Sequence, residues 1–195
     1  MRKVTYGGAC SADGFITGPD EAIDWLRMSK DVEAIIKQSW RGVDTMLMGR
    51  KTFEFGQKFQ AQGSRGESEQ ETGGGPATPG ITSYVFSRTL DDVELRSRLS
   101  PGQSAPVLVR DDAAGFVRAL KAKPGGDIIV MGGGELGTAL IEAGLVDEIG
   151  FSIHPLLLGG GTPAFQPMGR RVELELIEAR AIAEGCVFVR WSVVN

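Results

Sequence analysis

The chain has 195 residues, of which 42% are hydrophobic and 24% charged, so it can bury the core of one substantial domain. Its formal net charge of −4, with lysines and arginines scattered along the sequence, excludes an extended basic face for nucleic acid. No apolar run reaches the length of a membrane-spanning helix, and the first residues lead into a strand pattern, so we expect a cytoplasmic protein.

Strand and helix patterns alternate along most of the chain. The strand patterns lie at residues 3–10, 45–48, 83–86, 107–108, 127–131 and 148–153, and the helical patterns at 31–40, 52 onward, 113–122 and 135–143. This alternation predicts an α/β fold with a mostly parallel sheet. Two further strand patterns, 172–181 and 186–193, are joined by Glu184-Gly185 and predict an antiparallel hairpin.

One long segment interrupts this alternation. Residues 56–80 are polar, rich in glycine and without periodicity, which predicts a long mobile loop. Helix and strand patterns resume directly on both sides of it, so we expect a single domain over residues 1–195.

The cysteines and the histidine argue against two common kinds of site. Cys10 and Cys186 lie in apolar, strand-like segments and no Cys-x-x-Cys spacing occurs, so we expect reduced, buried thiols. His154 is the single histidine, which argues against a zinc site.

The first candidate binding turn is Met48-Gly49-Arg50-Lys51-Thr52, between a strand pattern and a helical pattern. The start of a helix offers unpaired backbone N–H groups to a phosphate. Gly49 allows close approach of the backbone, Thr52 can donate a hydroxyl, and Arg50 can make a forked contact with an adenosine 2′-phosphate. The alternative is a capped helix with two solvated basic residues, Arg50 and Lys51.

The second candidate turn is Met131-Gly132-Gly133-Gly134-Glu135-Leu136-Gly137, again between a strand and a helix pattern. Three successive glycines cost backbone entropy, which favours a ligand such as a pyrophosphate, or another chain segment, against bare backbone. Residues 132–137 also satisfy G-x-G-x-x-G. We do not expect a Rossmann unit, because the next strand pattern ends at His154-Pro155 rather than at an acidic residue.

The third candidate turn is Phe86-Ser87-Arg88-Thr89, where hydroxyls and a guanidinium follow another strand pattern. Such residues are common in loops, so the position of the turn matters more than its composition. Three parallel-type strands each end in donors or glycine, and ligands gather at the carboxyl ends of such strands.

These motifs resemble those of a known family. The strand followed by M-G-R-K-T and the strand followed by G-G-G are similar to the two cofactor turns of dihydrofolate reductases, and Ser11 to Ile16 resembles their flexible active-site loop. His154 to Pro163 is instead similar to the reductase domain of the bifunctional riboflavin-biosynthesis deaminase–reductase, which shares the fold. The resemblance implies a three-layer, dihydrofolate-reductase-like fold and a homodimer.

The resemblance also implies NADPH as cofactor, lying across the edge of the sheet. Its adenosine phosphate would lie near Gly49, Arg50, Lys51, Thr52, Ser87 and Arg88, and its pyrophosphate along Met131, Gly132, Gly133, Gly134, Glu135 and Leu136. The nicotinamide would lie by Ala9, Gly14 and Ile16.

Hydride transfer is performed by the nicotinamide, so the protein supplies orientation, exclusion of water and a proton donor. Counting back from M-G-R-K-T places Glu33 where folate reductases keep their carboxylate, although it is also compatible with a solvated helix residue. Asp13 is the rival acid, or a cap of its loop. Trp25 packs either on a substrate ring or on the core. His154 is interpreted as structural, with a hydrogen bond to a substrate or a partner subunit as the alternative.

The sequence and the resemblance together predict an NADPH-dependent reductase of a small pyrimidine- or pterin-like substrate, resembling 5-amino-6-(5-phosphoribosylamino)uracil reductase. A true dihydrofolate reductase is the alternative within the fold, although no counterpart of the family's distant substrate-binding arginine is visible. A non-catalytic nucleotide-binding module is the alternative from another class.

Overall fold

A computed structural model describes residues 1–61, 80–99 and 102–194. The strands in these residues are β1 (Val4–Ser11), β2 (Phe15–Thr17), β3 (Val43–Gly49), β4 (Thr82–Phe86), β5 (Val107–Val109), β6 (Asp127–Met131), β7 (Glu148–His154), β8 (Thr162–Pro163), β9 (Glu173–Ala181) and β10 (Val187–Val194). The α-helices there are α1 (Lys30–Ser39), α2 (Arg50–Ala61), α3 (Asp92–Ser97), α4 (Ala113–Ala122) and α5 (Gly134–Glu142).

Eight strands form one sheet in the spatial order β5-β4-β3-β6-β1-β7-β10-β9, and β2 pairs with β8 separately. The first six strands in that order are parallel, whereas β10 is antiparallel to both β7 and β9. This confirms the predicted α/β fold with a mostly parallel sheet and a C-terminal antiparallel hairpin.

The direction in which the chain builds the sheet reverses before β6. From β1 the chain adds β3, β4 and β5 outward on one side, and it then returns to insert β6 between β3 and β1. Because crossovers between parallel strands are right-handed, α1 to α3 cover one face of the sheet and α4 and α5 cover the other. Such a reversal opens a crevice at the carboxyl ends of the strands, where open α/β sheets bind their ligands.

The hydrophobic core alternates between these two faces. Ile128 and Val130 of β6 pack in one cluster with Val117 of α4, while Ile129 packs with Phe53 of α2 on the opposite face. Burial on both faces is typical of a parallel strand covered by helices. A smaller cluster joins α1 to β10.

Both cysteines are free and buried, as expected, and they lie in clusters on opposite faces of the sheet. Burial raises the pKa of the Cys10 thiol to about 11, so it is protonated and unreactive at neutral pH. No helix in the described part of the chain is long and apolar enough to cross a membrane.

Two partly buried ion pairs lie at the amino ends of the strands. Arg2 contacts Asp44 at the start of β3 and donates to the carbonyl of Gly126 at 2.6 Å. The Nζ atom of Lys121 in α4 lies 2.5 Å from a carboxylate oxygen of Asp147, just before β7. Both pairs join segments that are distant in sequence, so this edge of the sheet is fixed.

Most predicted elements differ from the structure by one or two residues at their ends, but one prediction is wrong in part. Residues 56–61 of the predicted mobile loop continue α2, because Gly56 is tolerated in the helix and Phe53 and Gln57 bury one helical face. Residues 62–79 of that loop lie outside the described residues. The short elements β2, β8 and α3 were not predicted.

Candidate active site

The three predicted binding turns follow adjacent strands. In the sheet, Gly49 at the end of β3 pairs with Phe86 at the end of β4, and Met48 pairs with Met131 at the end of β6. The turns after β3, β4 and β6 consequently border the same crevice at the carboxyl edge of the sheet.

The turns after β3 and β6 touch each other through Thr52. A Cβ atom built on Gly132 would lie 2.3 Å from Thr52 Oγ1, and Gly132 has a φ of +68°. Glycine alone fits both this space and this backbone conformation without strain. The Thr52 hydroxyl therefore lies at the junction of two of the predicted phosphate-binding turns.

The turn after β3 leaves room above its backbone. A Cβ atom built on Gly49 would meet no atom within 4 Å. Arg50 begins α2, and its Nη1 atom donates to Oε1 of Glu54 at 2.9 Å, while Lys51 is exposed. A helix start with two cations beside an open glycine suits a phosphate group.

Glu54 links the turn after β3 to the end of α3, and the sequence analysis did not identify it. Its Oε1 atom also lies 2.6 Å from Nη1 of Arg98, the residue that caps the end of α3, the helix after the turn that follows β4. The spacing of four residues between Arg50 and Glu54 is the signal that indicates the first of these pairs. Arg50 is held through one nitrogen and stays 41% exposed.

The glycines after β6 have different roles. A Cβ atom on Gly134 would lie 2.5 Å from the carbonyl oxygen of Pro163, and one on Gly137 would lie 2.6 Å from the ring of Tyr6. Internal packing therefore accounts for these two glycines. A Cβ atom on Gly133 would have one near neighbour, Thr52 Oγ1 at 3.6 Å, so its backbone borders the crevice.

Helix α5 begins at this turn without a side-chain cap. Its N-cap residue is Gly133, whereas Ser29, Asp91 and Asp112 cap α1, α3 and α4 with side-chain oxygens. The first N–H groups of α5 can thus meet an anionic ligand. Beside them, Met131 and Leu136 are half-buried and Glu135 is exposed.

Ser87 shapes the turn after β4. Its Oγ atom accepts hydrogen bonds from the N–H groups of Thr89 and Leu90, at 3.2 and 2.9 Å. Arg88, between Ser87 and Thr89, is exposed. The turn thus presents a guanidinium at the end of the strand next to Gly49.

β1 extends beyond β6 at the crevice. Its pairing with β6 ends at Gly7 and Met131, whereas its pairing with β7 continues to Ser11 and His154. Ala9 therefore lies beyond the end of β6, and the resemblance implies that this residue is near the nicotinamide. Gly14 and Ile16, in the following turn and in β2, are half-buried.

Asp13 is bound by three hydrogen-bond donors. The Ser11 hydroxyl donates to its Oδ1 atom at 2.5 Å, and the N–H groups of Leu158 and Gly159 donate to its carboxylate at 3.1 and 2.8 Å. These hydrogen bonds, above all that from Ser11, lower the pKa of Asp13. The carboxylate is consequently ionised at neutral pH and is a poor proton donor.

Glu33 lies in the first half of α1, on a turn whose N–H groups are capped by Ser29. It is half-buried beside the half-buried Ile36, at the margin of the buried face formed by Val32 and Ile35. The structure thus places Glu33 on the helix that connects β1 to β3, apart from Asp13 in the loop after β1.

Trp25 and His154 contact each other. Their rings pack edge to face with centroids 5.2 Å apart, and the Trp25 Nε1 atom donates to the carbonyl of Ala22 at 3.2 Å. His154 is completely buried, and its Nδ1 atom accepts the N–H of Arg27 at 3.4 Å. Burial, together with the charge of Arg27, lowers the pKa of His154, so it is neutral and structural.

The fold and the position of the crevice define an α/β protein of the dihydrofolate-reductase-like class. The chain is similar to dihydrofolate reductase from Enterococcus faecalis, solved as a complex with NADP(H), with a TM-score of 0.61 and 15% identity over 99% of this chain and 97% of that one. It is also similar to a protein from Shewanella sp. PV-4 with a provisional assignment to riboflavin biosynthesis, with a TM-score of 0.72 and 19% identity over 100% of both chains.

Within that class, the family can be stated. The model of the RibD C-terminal domain matches residues 2–188, and the chain belongs to this family. It is 31% identical to the uncharacterized protein YyaP of Bacillus subtilis (strain 168) over 187 residues, which cover 96% of this chain and 93% of YyaP. Membership confirms the resemblance found in the sequence and indicates an oxidoreductase.

Proposed function

We propose that this protein is an NADPH-dependent reductase of a small pyrimidine- or pterin-like substrate, similar in reaction to 5-amino-6-(5-phosphoribosylamino)uracil reductase. The observation that carries the proposal is the contact between Thr52 and Gly132. This contact places the start of α2, which carries the cations Arg50 and Lys51, against the start of α5, which has no side-chain cap. Two such helix starts side by side suit the two phosphate sites of one dinucleotide.

The residues around the crevice have distinct tasks in this proposal. Arg50 and Arg88 bind the adenosine 2′-phosphate, with Lys51 and Ser87 beside them, and this favours NADPH over NADH. The amides after Gly133 bind the pyrophosphate, between Met131, Glu135 and Leu136. Bound NADPH supplies a hydride. Ala9, Gly14 and Ile16 orient its nicotinamide and exclude water.

Glu33 is the proposed proton donor to the substrate. It is half-buried on α1, and the resemblance to folate reductases implies a carboxylate at this position. Glu33→Gln is therefore expected to slow substrate turnover while leaving the affinity for NADPH unchanged.

We also propose that the protein is a homodimer, as its resemblance implies. The edge strand β9 is nine residues long and exposes three large apolar side chains, Leu174, Leu176 and Ile177. An exposed apolar edge strand is a site of association with another chain.

The coenzyme is tested by fluorescence titration of NADPH and NADH on the wild type and on Arg50→Ala. We expect the wild type to prefer NADPH and the variant to lose about tenfold to about hundredfold of its NADPH affinity, with little change for NADH, because a charge-assisted contact to the 2′-phosphate is removed. Arg41→Ala is the matched control, since Arg41 is exposed just before β3 whereas Arg50 follows its other end.

Equal affinity for both coenzymes, unchanged by Arg50→Ala, contradicts the assigned phosphate site. The substrate class is tested separately by NADPH oxidation on adding 5-amino-6-(5-phosphoribosylamino)uracil or dihydrofolate. Turnover of dihydrofolate alone favours a folate reductase, and NADPH binding without turnover of either compound favours a non-catalytic nucleotide-binding module.

A further inference from the structure

We propose that Asp13 is a positioning residue, whose carboxylate joins the loop after β1 to the loop after β7 so that the nicotinamide side of the crevice is formed before the coenzyme binds. The first loop is residues 11–18 and the second loop is residues 155–164. The inference rests on the proposed function for the identity of the coenzyme, but the connection between the loops does not depend on it.

The two loops are bonded to each other along their length. The N–H of Ala12 donates to the carbonyl of Leu156 at 2.9 Å, and the N–H of Ala164 donates to the carbonyl of Gly14 at 2.8 Å. Directly after Gly14, β2 pairs with β8. The first loop is therefore tied to a second segment along its length, rather than free to move alone.

Asp13 binds the part of the second loop that has the least structure of its own. The N–H groups of Leu158 and Gly159 both donate to its carboxylate, at 3.1 and 2.8 Å. This part continues through Gly160 and Gly161, and successive glycines have many backbone conformations to lose. A carboxylate that accepts two adjacent N–H groups selects one of these conformations.

Gly161 fits against the first loop so closely that no side chain is possible. A Cβ atom on Gly161 would lie 2.0 Å from the carbonyl oxygen of Thr17, and Gly161 has a φ of +123°. The two loops therefore meet backbone to backbone at this point. A methyl group at Gly161 separates them without altering Asp13.

The joined loops hold the residues proposed to contact the nicotinamide. Gly14 is fixed through its carbonyl by Ala164, and Ile16 lies in β2 between the two paired positions Phe15 and Thr17. An ionised Asp13 with its oxygens occupied by donors serves this connection and not proton transfer. Asp13 thus acts on the coenzyme through the two loops.

The experiment compares Asp13→Asn and Gly161→Ala with the wild type by amide hydrogen exchange and by titration with NADPH and with adenosine 2′,5′-bisphosphate. We expect exchange at Leu158 and Gly159 to be about tenfold faster in both variants, because hydrogen bonds to the carboxylate are lost or stretched. NADPH is expected to bind about tenfold more weakly, whereas adenosine 2′,5′-bisphosphate, which has no nicotinamide, binds as to the wild type.

Asp20→Asn is the matched control, since Asp20 is an exposed aspartate just beyond the first loop, and it should change neither measurement. Circular dichroism establishes that each variant folds. If Asp13→Asn does not fold, Ser11→Ala, which removes one donor to the same carboxylate, takes its place in both measurements.

Unchanged exchange at Leu158 and Gly159 in both variants overturns the connection. Faster exchange with unchanged NADPH affinity overturns the positioning role. If the wild type binds neither NADPH nor adenosine 2′,5′-bisphosphate, the proposed function fails, and the exchange rates still decide whether Asp13 joins the loops.

Discussion

Individual glycines near the carboxyl edge of the sheet are required for different reasons. Gly137 packs against the buried ring of Tyr6, which leaves no room for a side chain. Gly49, by contrast, borders open space at the end of β3. The first reason concerns the free energy of unfolding, and the second concerns the approach of a ligand to the backbone.

An alanine at each position separates these reasons. Gly49→Ala is expected to weaken NADPH binding by about tenfold and to change the free energy of unfolding by less than about 0.5 kcal/mol, because its methyl group enters only the crevice. Gly137→Ala is expected to lower the free energy of unfolding by about 1–3 kcal/mol through overpacking against Tyr6. Denaturant unfolding and NADPH titration of both variants check this, and wild-type affinity in Gly49→Ala counts against a ligand at this turn.

At the scale of secondary-structure elements, β9 is the least covered part of the sheet. It pairs with β10 on one side, and its residues are exposed along almost its whole length. Charged residues alternate with the apolar ones along the strand, which limits unspecific pairing at such an edge. Leu176, 63% exposed, is the most accessible of its large apolar side chains.

Leu176→Lys is therefore expected to convert a homodimer into a monomer, because it places a charge in the apolar part of the proposed interface. Light scattering after size-exclusion chromatography measures the mass directly. Val93→Lys, at an exposed apolar residue of α3, is the control and should leave the mass unchanged. A wild type that is monomeric at all concentrations, or a Leu176→Lys variant that stays dimeric, rules out this edge as the interface.

For the molecule as a whole, the dependence of stability on pH near neutrality should come from one residue. Burial and Arg27 lower the pKa of His154 in the folded state, so the unfolded chain takes up this proton at a higher pH. Stability then decreases as the pH falls below about 6.5. The lowered pKa values of Asp13 and Asp44 affect a different pH range. The stability that these two carboxylates contribute to the fold is lost only below about pH 3.8.

We expect the free energy of unfolding to decrease between about pH 7.5 and about pH 5.5 in the wild type, and this decrease to be absent in His154→Gln. The chain has one histidine, so the difference between the two pH profiles is assigned without ambiguity. Denaturant unfolding at several pH values measures both profiles. Parallel profiles would mean that His154 titrates alike in the folded and unfolded states.

Although β2, β8 and α3 were not predicted, the sequence by itself determined the order of most strands and helices and the three candidate binding turns. Each of these is encoded by neighbouring residues, such as the apolar strand, the glycine and the helix start that meet at Gly49. Glu33 and Asp13 also stood out as acids, but their surroundings did not follow from the sequence.

Only the tertiary structure decided which residues these segments meet. Asp13 and Gly159 are 146 positions apart and bond through one carboxylate, and Glu54 meets Arg98 across two helices. It also assigned Gly134 and Gly137 to internal packing, a role that the G-x-G-x-x-G pattern does not distinguish from ligand binding. Contacts of this kind depend on how the sheet is wound, and the local sequence does not contain that information.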